Sequence, residues 1–217
     1  MINTVIFDMD GILIDSEPLW KKAEREIFSS LGVTITNEKS SITASMTTNE
    51  VVDYWFEQFP WGKKNTKKVE NAVINLVGEL ILQEGNPVEG ISDILEIFRQ
   101  RSFNIGLATN SPYRLIPIVL DKVGITHYFD AVSSAEHEHQ GKPNPLVYLS
   151  TAKKLAVNPT NCIVFEDSES GIKAAKNANM KVIAVPPEKE FNNPKFDIAD
   201  MKLSKLSAFT AKHLATF

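Results

Sequence analysis

Cysteine is nearly absent from this chain, and there is no surplus of positive charge. The 217 residues include one cysteine, so no internal disulfide can form. Because that residue lies in the apolar run Cys162-Ile163-Val164-Phe165, we interpret it as a buried, unreactive thiol. The formal net charge of −4 argues against a protein that binds nucleic acid or an anionic membrane surface.

Long apolar segments are missing as well. No apolar run is long enough to cross a bilayer, so we expect no membrane partner. The N-terminus enters a short apolar strand without a basic segment before it, and we therefore expect no signal peptide. With a single cysteine, these features favour a cytoplasmic protein, and we expect a monomer. Hydrophobic residues make up 43% of the chain, which suits one core domain with an insert, or one large domain.

Short β-branched, apolar runs alternate with helical patterns over most of the chain. We predict strands over residues 4–7, 104–108, 131–133, 162–165 and 181–185. Helical spacing of apolar residues follows over 91–98 and 116–123, where Pro117 either kinks the helix or shifts its start. This alternation predicts an α/β fold with a doubly wound parallel sheet.

One interval breaks the alternation. Between about Ser16 and Pro87 we find no convincing strand, but apolar stripes at helical spacing recur over 19–31, 51–56 and 69–81. The segment Ser16-Glu17-Pro18 has the form of a helix cap followed by a first-turn proline. We therefore predict an all-helical insert of residues 16–87 in a core made of 1–15 and 88–217, with hinges near 14–17 and 83–89.

Polar side chains follow three of the predicted strands or lie in a Gly-Lys-Pro loop. They are Asp8 and Asp10, Thr109 and Asn110, Lys142, and Glu166 with Asp167. Each group alone is weak evidence for a site, since a pair such as Asp-x-Asp is common in solvated turns. Ligands of open α/β sheets bind at the carboxyl ends of the strands, so we expect all four groups to meet at one rim.

The residue types in these segments suit the handling of a phosphoryl group. Two carboxylates one residue apart, Asp8 and Asp10, can divide nucleophilic attack and proton transfer between them. Several carboxylates that cannot neutralise one another favour a hard cation with oxygen ligands, such as Mg²⁺. The hydroxyl of Thr109, the amide of Asn110 and the Lys142 ammonium suit the non-bridging oxygens of a phosphoryl group.

From Val5 to about Val185 the chain resembles the haloacid dehalogenase superfamily, whose four motifs match these segments in order. The resemblance implies that Asp8 attacks phosphorus to form an aspartyl-phosphate and that Asp10 is the general acid/base. It also implies that Mg²⁺ is held by Asp8, by the backbone carbonyl of Asp10 and by an acid of the fourth motif, Asp167 or Glu166. The helical insert resembles the cap of subclass I of this superfamily, on a Rossmann-like core.

Within the superfamily, the segments 7–11, 15–20, 51–55 and 166–168 resemble those of the 2-deoxyglucose-6-phosphate and hexitol-phosphate phosphatases. This resemblance implies Mg²⁺-dependent hydrolysis of a small phosphorylated sugar or polyol. A cap-loop arginine expected near Thr47 in that branch is absent, which leaves the substrate preference open.

β-Phosphoglucomutase is the main alternative. It uses basic groups on a cap loop and a histidine on the first cap helix to hold a bisphosphate. Here the corresponding loop, 42–49, has no lysine or arginine, and Trp20 takes the place of the histidine, so hydrolysis is favoured.

Other reactions of the fold are less favoured. The presence of Asp10 argues against dehalogenation, because haloacid dehalogenases usually lack the second aspartate. Lys21 and Lys22 lie near the region where phosphonate-cleaving relatives carry a Schiff-base lysine, so that reaction stays open. A binding module without activity should lack one of the motif acids, and all are present.

Overall fold

Six parallel strands form one sheet, as the computed structural model shows for the residues that it describes, 1–43, 46–63 and 65–217. The strands are β1 (Thr4–Phe7), β2 (Asn104–Thr109), β3 (Ala131–Ser134), β4 (Cys162–Glu166), β5 (Lys181–Ala184) and β6 (Met201–Lys202). Their order is β3-β2-β1-β4-β5-β6, so the direction of winding reverses beside β1. The predicted α/β fold with a doubly wound parallel sheet is confirmed, and the reversal is where such sheets bind ligands.

Both faces of the sheet are buried, which explains why its strands are apolar throughout. Phe7 stacks on Phe165 with ring centroids 5.0 Å apart, and Phe98 meets both rings edge-on. Ile6, next to Phe7 in the chain, lies in a separate apolar cluster, because successive side chains of a strand point to opposite faces.

Eight α-helices accompany the strands in the described part of the chain. Those of the insert are α1 (Glu17–Ser30), α2 (Asn37–Thr43), α3 (Thr48–Gln58) and α4 (Thr66–Glu84); those that follow are α5 (Ile91–Arg99), α6 (Leu115–Val123), α7 (Leu146–Lys154) and α8 (Glu169–Asn177). Helix α4 packs against α1 and α3 and also contacts α6, so the insert rests on the core along this helix. Trp55 and Phe28 are buried inside the insert.

The two chain segments that join insert and core lie side by side. Ile14 forms isolated β-bridges with Asp10 and with Pro87, and the Asp15 backbone N–H donates to the Asn86 carbonyl at 3.1 Å. The chain therefore leaves and re-enters the core next to β1, within the two segments that the sequence suggests as hinges.

Helix α2 and strand β6 are among the elements that were not predicted. Helix α2 carries no apolar periodicity, and β6 has only two residues, so neither has a sequence signal.

Pro117 is the third residue of α6, where a backbone N–H has no partner within the helix, and α6 begins at Leu115. Two residues of the predicted cap loop, Ala44 and Ser45, lie outside the described residues. Among the described helices, none is both long and apolar enough to cross a bilayer.

Candidate active site

The predicted polar residues meet at the carboxyl ends of β1, β2 and β4. With one exception they line a single cleft of about 1070 Å³ between the rim of the sheet and the insert. The exception is Glu166, whose side chain is fully buried behind the cleft surface. Such a concave site lined by several titratable groups is the usual form of an active site.

Lys142 lies at the centre of this site and binds two of its acidic side chains. Its Nζ donates to Asp8 Oδ1 and to Glu166 Oε1, each at 2.6 Å, and to the Ala108 carbonyl at 2.9 Å. Burial alone would lower the pKa of Lys142, but the charges of Asp8 and Glu166 outweigh burial and raise that pKa above its ordinary value. Lys142 is therefore a fixed positive charge beside the carboxylate of Asp8.

Glu166 has both carboxylate oxygens engaged. Besides Lys142, its Oε1 accepts from the Tyr148 hydroxyl at 2.6 Å, while Oε2 accepts from the backbone N–H and the hydroxyl of Ser168 at 3.2 and 3.0 Å. Gly171 leaves room for this packing, since a Cβ there would lie 1.7 Å from Glu166 Oε1. In this arrangement Glu166 orients Lys142 from the side that faces away from the cleft.

Asp10 accepts hydrogen bonds from both the core and the insert. Ser111 Oγ donates to its Oδ2 at 2.6 Å, and Thr109 Oγ1 lies 3.4 Å from the same oxygen. Oδ1 accepts from Ser16 Oγ at 2.5 Å and from the Trp20 indole Nε1 at 3.1 Å. The first helix of the insert therefore touches the second aspartate directly.

The role predicted for Ser16 as a helix cap is wrong for its side chain. Ser16 occupies the N-cap position of α1, but its hydroxyl makes no capping hydrogen bond and donates to Asp10 instead. Its backbone is helical, with ψ of −15°, rather than in the extended region that places a capping side chain over the first turn.

Asp8, Glu166 and Asp167 form a cluster suited to a cation. One carboxylate oxygen from each lies within 4.8 Å of the others. The pKa values of Asp8 and Asp167 are raised, first by burial and then by the neighbouring carboxylates, although Lys142 acts in the opposite direction. Three carboxylates beside one lysine leave an excess of negative charge, and oxygen ligands of this kind suit Mg²⁺.

Gly11 makes room for the acid of this cluster that faces the cleft. It has a φ of +77°, and a Cβ at this position would lie 2.0 Å from Asp167 Oδ2. The turn after β1 therefore needs glycine both for its backbone conformation and for the close approach of Asp167.

Asn110 and Gly141 mark a second contact between core and insert. Asn110 Oδ1 accepts from the Lys142 backbone N–H at 2.8 Å, which ties the lysine loop to the end of β2. A Cβ on Gly141 would lie 2.9 Å from both Asn110 Oδ1 and Thr47 Cγ2. The start of α3 in the insert thus lies directly over this loop.

Four residues that support the predicted ones were not themselves predicted as site residues: Ser16, Trp20, Ser111 and Tyr148. Ser111 was within reach, because it directly follows Thr109 and Asn110 at the end of a strand. Tyr148 gave no signal, since its place on α7 identifies it only as a core aromatic residue. Its ring also lies under Lys142 Nζ, 4.8 Å from the centroid.

Comparisons with known proteins agree with this geometry. Hexitol phosphatase B of Escherichia coli strain K12 is 39% identical over 214 residues, covering 98% of this chain and 96% of its own length. A phosphorylated carbohydrates phosphatase of Thermotoga maritima is 33% identical over 184 residues, 84% of each chain. The solved structure of β-phosphoglucomutase from Clostridium difficile superposes with a TM-score of 0.87 at 25% identity, over 100% of this chain and 96% of that one.

A sequence model of the haloacid dehalogenase-like hydrolase family matches residues 5–185, which is most of the chain and includes every predicted site residue. The match begins just before Asp8 and ends just beyond β5, so it includes every strand that contributes a polar group to the cleft. By this match, and by its likeness to the relatives above, the chain belongs to the haloacid dehalogenase-like hydrolases.

Proposed function

We propose that this protein is a Mg²⁺-dependent phosphatase of small sugar or polyol phosphates that works through an aspartyl-phosphate. The observation that carries the proposal is the position of Asp8, buried at the sheet rim with Lys142 Nζ 2.6 Å from one oxygen and Asp10 two residues away. A nucleophile, a fixed cation and a separate acid/base group are what two-step phosphoryl transfer to water requires.

In the first step, a carboxylate oxygen of Asp8 attacks phosphorus in line with the leaving oxygen. The bond from phosphorus to the sugar oxygen breaks, and Asp10 gives its proton to that oxygen. Lys142 offsets negative charge around the phosphoryl group, while Thr109 and Asn110 hold its non-bridging oxygens. Because Glu166, which itself accepts from the Tyr148 hydroxyl, holds Lys142 from the side away from the cleft, the lysine charge is in place before the substrate arrives.

In the second step, water attacks phosphorus and releases inorganic phosphate from Asp8. Asp10, now a carboxylate, takes the proton from that water and regains the form needed for the next cycle. Its hydrogen bonds from Ser111 in the core and Trp20 in the insert keep it within reach of the cleft. The acid/base group therefore depends on the insert being in place over the core.

The carboxylate cluster is the site we assign to Mg²⁺. Asp8, Asp167 and the backbone carbonyl of Asp10 would hold the ion, which when bound offsets the repulsion between Asp8 and the phosphate. Glu166 is the less suitable ligand, because both its oxygens already accept hydrogen bonds. Its part is then to position Lys142.

Residues 16–87 are then a cap over a core of 1–15 and 88–217. The cap would exclude bulk water during the first step and admit it for the second. The segments around Ile14 and Pro87, which a β-bridge joins, would be its two hinges.

Similarity to a β-phosphoglucomutase makes a mutase the second candidate, but the charges in the cleft favour hydrolysis. A mutase must hold a bisphosphate at both ends. Among the described insert residues that line the cleft, Lys21 is the one cation, and it already forms an ion pair with Glu17. The cap wall therefore has no free positive charge for a distal phosphate.

Removal of metal is expected to abolish activity and lower thermal stability together. Phosphate release from a hexitol phosphate should stop in EDTA and return with Mg²⁺. Mg²⁺ should also raise the unfolding midpoint of the wild type, because it relieves repulsion within the cluster. Asp167→Asn should lose most of that thermal shift, whereas Asp93→Asn, at an exposed position that does not line the cleft, should keep it. Full turnover in metal-free buffer would exclude the assignment.

Hydrolysis and mutase activity can be separated in one reaction. With β-glucose 1-phosphate and a trace of the 1,6-bisphosphate, we expect inorganic phosphate to accumulate and little glucose 6-phosphate to form. The lack of a free cation on the cap wall should cost a distal phosphate about 1.5–3 kcal/mol of binding, roughly ten- to over a hundredfold. Efficient conversion to glucose 6-phosphate would establish the mutase instead.

A further inference from the structure

Glu24 lies on the face of α1 that lines the cleft. It is four residues beyond Trp20, whose indole reaches Asp10, and residues four apart share one face of a helix. The rise of an α-helix places Glu24 roughly 6 Å further along the axis than Trp20. A substrate with its phosphate at Asp8 would extend past Trp20 towards Glu24.

The Glu24 carboxylate has unused hydrogen-bonding capacity. Among the described residues it forms no hydrogen bond and no ion pair, and its side chain is half-buried. Burial raises its pKa to about 7, although nearby Lys21 acts to lower it. The Lys21 ammonium itself is paired with Glu17. A partly desolvated carboxyl without donors has much to gain from a ligand that supplies them.

The other cap side chains near this end of the cleft do not compete for that role. Ser40 Oγ donates to the Thr36 carbonyl at 3.2 Å, and Thr43 Oγ1 lies 3.4 Å from the Ser40 carbonyl, so both hydroxyls face backbone acceptors. Met46 and Val51 add apolar surface to the same wall. Apart from Glu17, which is paired with Lys21, the wall thus offers the Glu24 carboxyl group and apolar contact, a combination that suits a neutral chain bearing hydroxyls.

The opposite wall supplies little free positive charge at the mouth of the cleft. Lys173 and Lys195 pair with Glu169 and Glu190, and Lys205 lies 3.7 Å from Glu89. Lys189 is the remaining lysine of this wall. A second phosphate near Glu24 would therefore meet a carboxylate rather than a clamp of cations.

We propose that Glu24 forms a hydroxyl-binding subsite that accepts hydrogen bonds from the polyol part of the substrate and disfavours substrates with a second phosphate at that end. This inference rests on the proposed phosphatase function, because it takes the phosphate of the same substrate to lie at Asp8. The subsite lies in the cap, away from the reacting atoms, so it sets which substrates bind rather than the chemical step.

The test compares a phosphomonoester that has hydroxyls with one that lacks them. Sorbitol 6-phosphate and phenyl phosphate are assayed with the wild type, Glu24→Leu, Glu24→Gln and, as a matched control, Glu26→Leu on the exposed side of the same helix. We expect Glu24→Leu to raise KM for sorbitol 6-phosphate roughly ten- to a hundredfold, the loss of a hydrogen bond to a charged group, with kcat/KM for phenyl phosphate unchanged.

The other variants sharpen the comparison. Glu24→Gln keeps an acceptor without the charge, so it should restore much of the affinity for sorbitol 6-phosphate. Removal of the charge should also raise the ratio of kcat/KM for fructose 1,6-bisphosphate to kcat/KM for sorbitol 6-phosphate above its wild-type value. Glu26→Leu should behave as the wild type does. Equal losses on both monophosphates in Glu24→Leu, or no loss on either, would overturn the subsite.

A binding measurement separates failure of the subsite from failure of the proposed function. In an Asp8→Asn background, calorimetry gives Kd for sorbitol 6-phosphate and phenyl phosphate without turnover. If Glu24→Leu weakens only the first, the subsite stands even where the wild type releases no phosphate. If it weakens neither, or both equally, the subsite is wrong whatever the activity. Thermal unfolding of each variant shows whether Glu24→Leu still folds, and Glu24→Gln carries the test if it does not.

Discussion

Asp8→Asn is expected to lower kcat for phosphate release by about four orders of magnitude or more, since it removes the nucleophile that both steps share. The amide has nearly the size of the carboxylate, so the site should keep its shape. Lys142 would still be held by Glu166, because that contact does not involve Asp8. Phosphate release under saturating substrate and Mg²⁺ measures the effect.

The control for Asp8 is an aspartate-to-asparagine change elsewhere in the core. Asp93→Asn in the first turn of α5 is exposed and should retain wild-type kcat. Thermal unfolding should show both variants folded. Near-normal turnover by folded Asp8→Asn protein would mean that another group attacks phosphorus, and the proposed mechanism would be abandoned.

Asp10→Asn is expected to lower kcat for an alkyl phosphate by roughly two to four orders of magnitude, the usual contribution of a general acid/base. The effect should depend on the leaving group. Nitrophenolate leaves without protonation, so p-nitrophenyl phosphate should still phosphorylate Asp8. Water would then attack slowly without a base, and we expect a burst of one nitrophenol per enzyme followed by slow turnover.

The burst distinguishes loss of the acid/base group from general damage to the site. Ser111→Ala removes one of the donors to Asp10 but leaves the carboxyl group, and should produce a smaller loss without a burst. If Asp10→Asn lost activity equally on alkyl and nitrophenyl phosphates and showed no burst, Asp10 would have a structural role only.

The convergence of the motif residues could be predicted because it depends only on chain order and strand direction. Once β1, β2 and β4 are parallel neighbours, the residues after them must share one rim. Asp8 follows β1 and Thr109 ends β2, so both positions followed from the apolar runs alone. Lys142 is less obvious, because it does not follow a strand: it lies in the loop between β3 and α7, whose backbone Asn110 ties to the end of β2.

The role that each side chain takes within the site could not be predicted from the sequence. Glu166 and Asp167 are adjacent and chemically similar, yet one is buried behind Lys142 and the other faces the cleft. The alternation of side chains at the end of β4 decides between them, and it depends on where the strand ends. The contact of Trp20 with Asp10 depends on how the insert packs over the core, which no local pattern encodes.

The central claim is that phosphate leaves through a covalent intermediate on Asp8, and the stereochemistry at phosphorus tests it most directly. Each in-line displacement inverts the configuration, so two successive displacements retain it. A sugar phosphorothioate made chiral with ¹⁸O is hydrolysed in H₂¹⁷O, and the configuration of the released thiophosphate is determined. We expect overall retention. Inversion would show that water attacks the substrate directly and would contradict the aspartyl-phosphate.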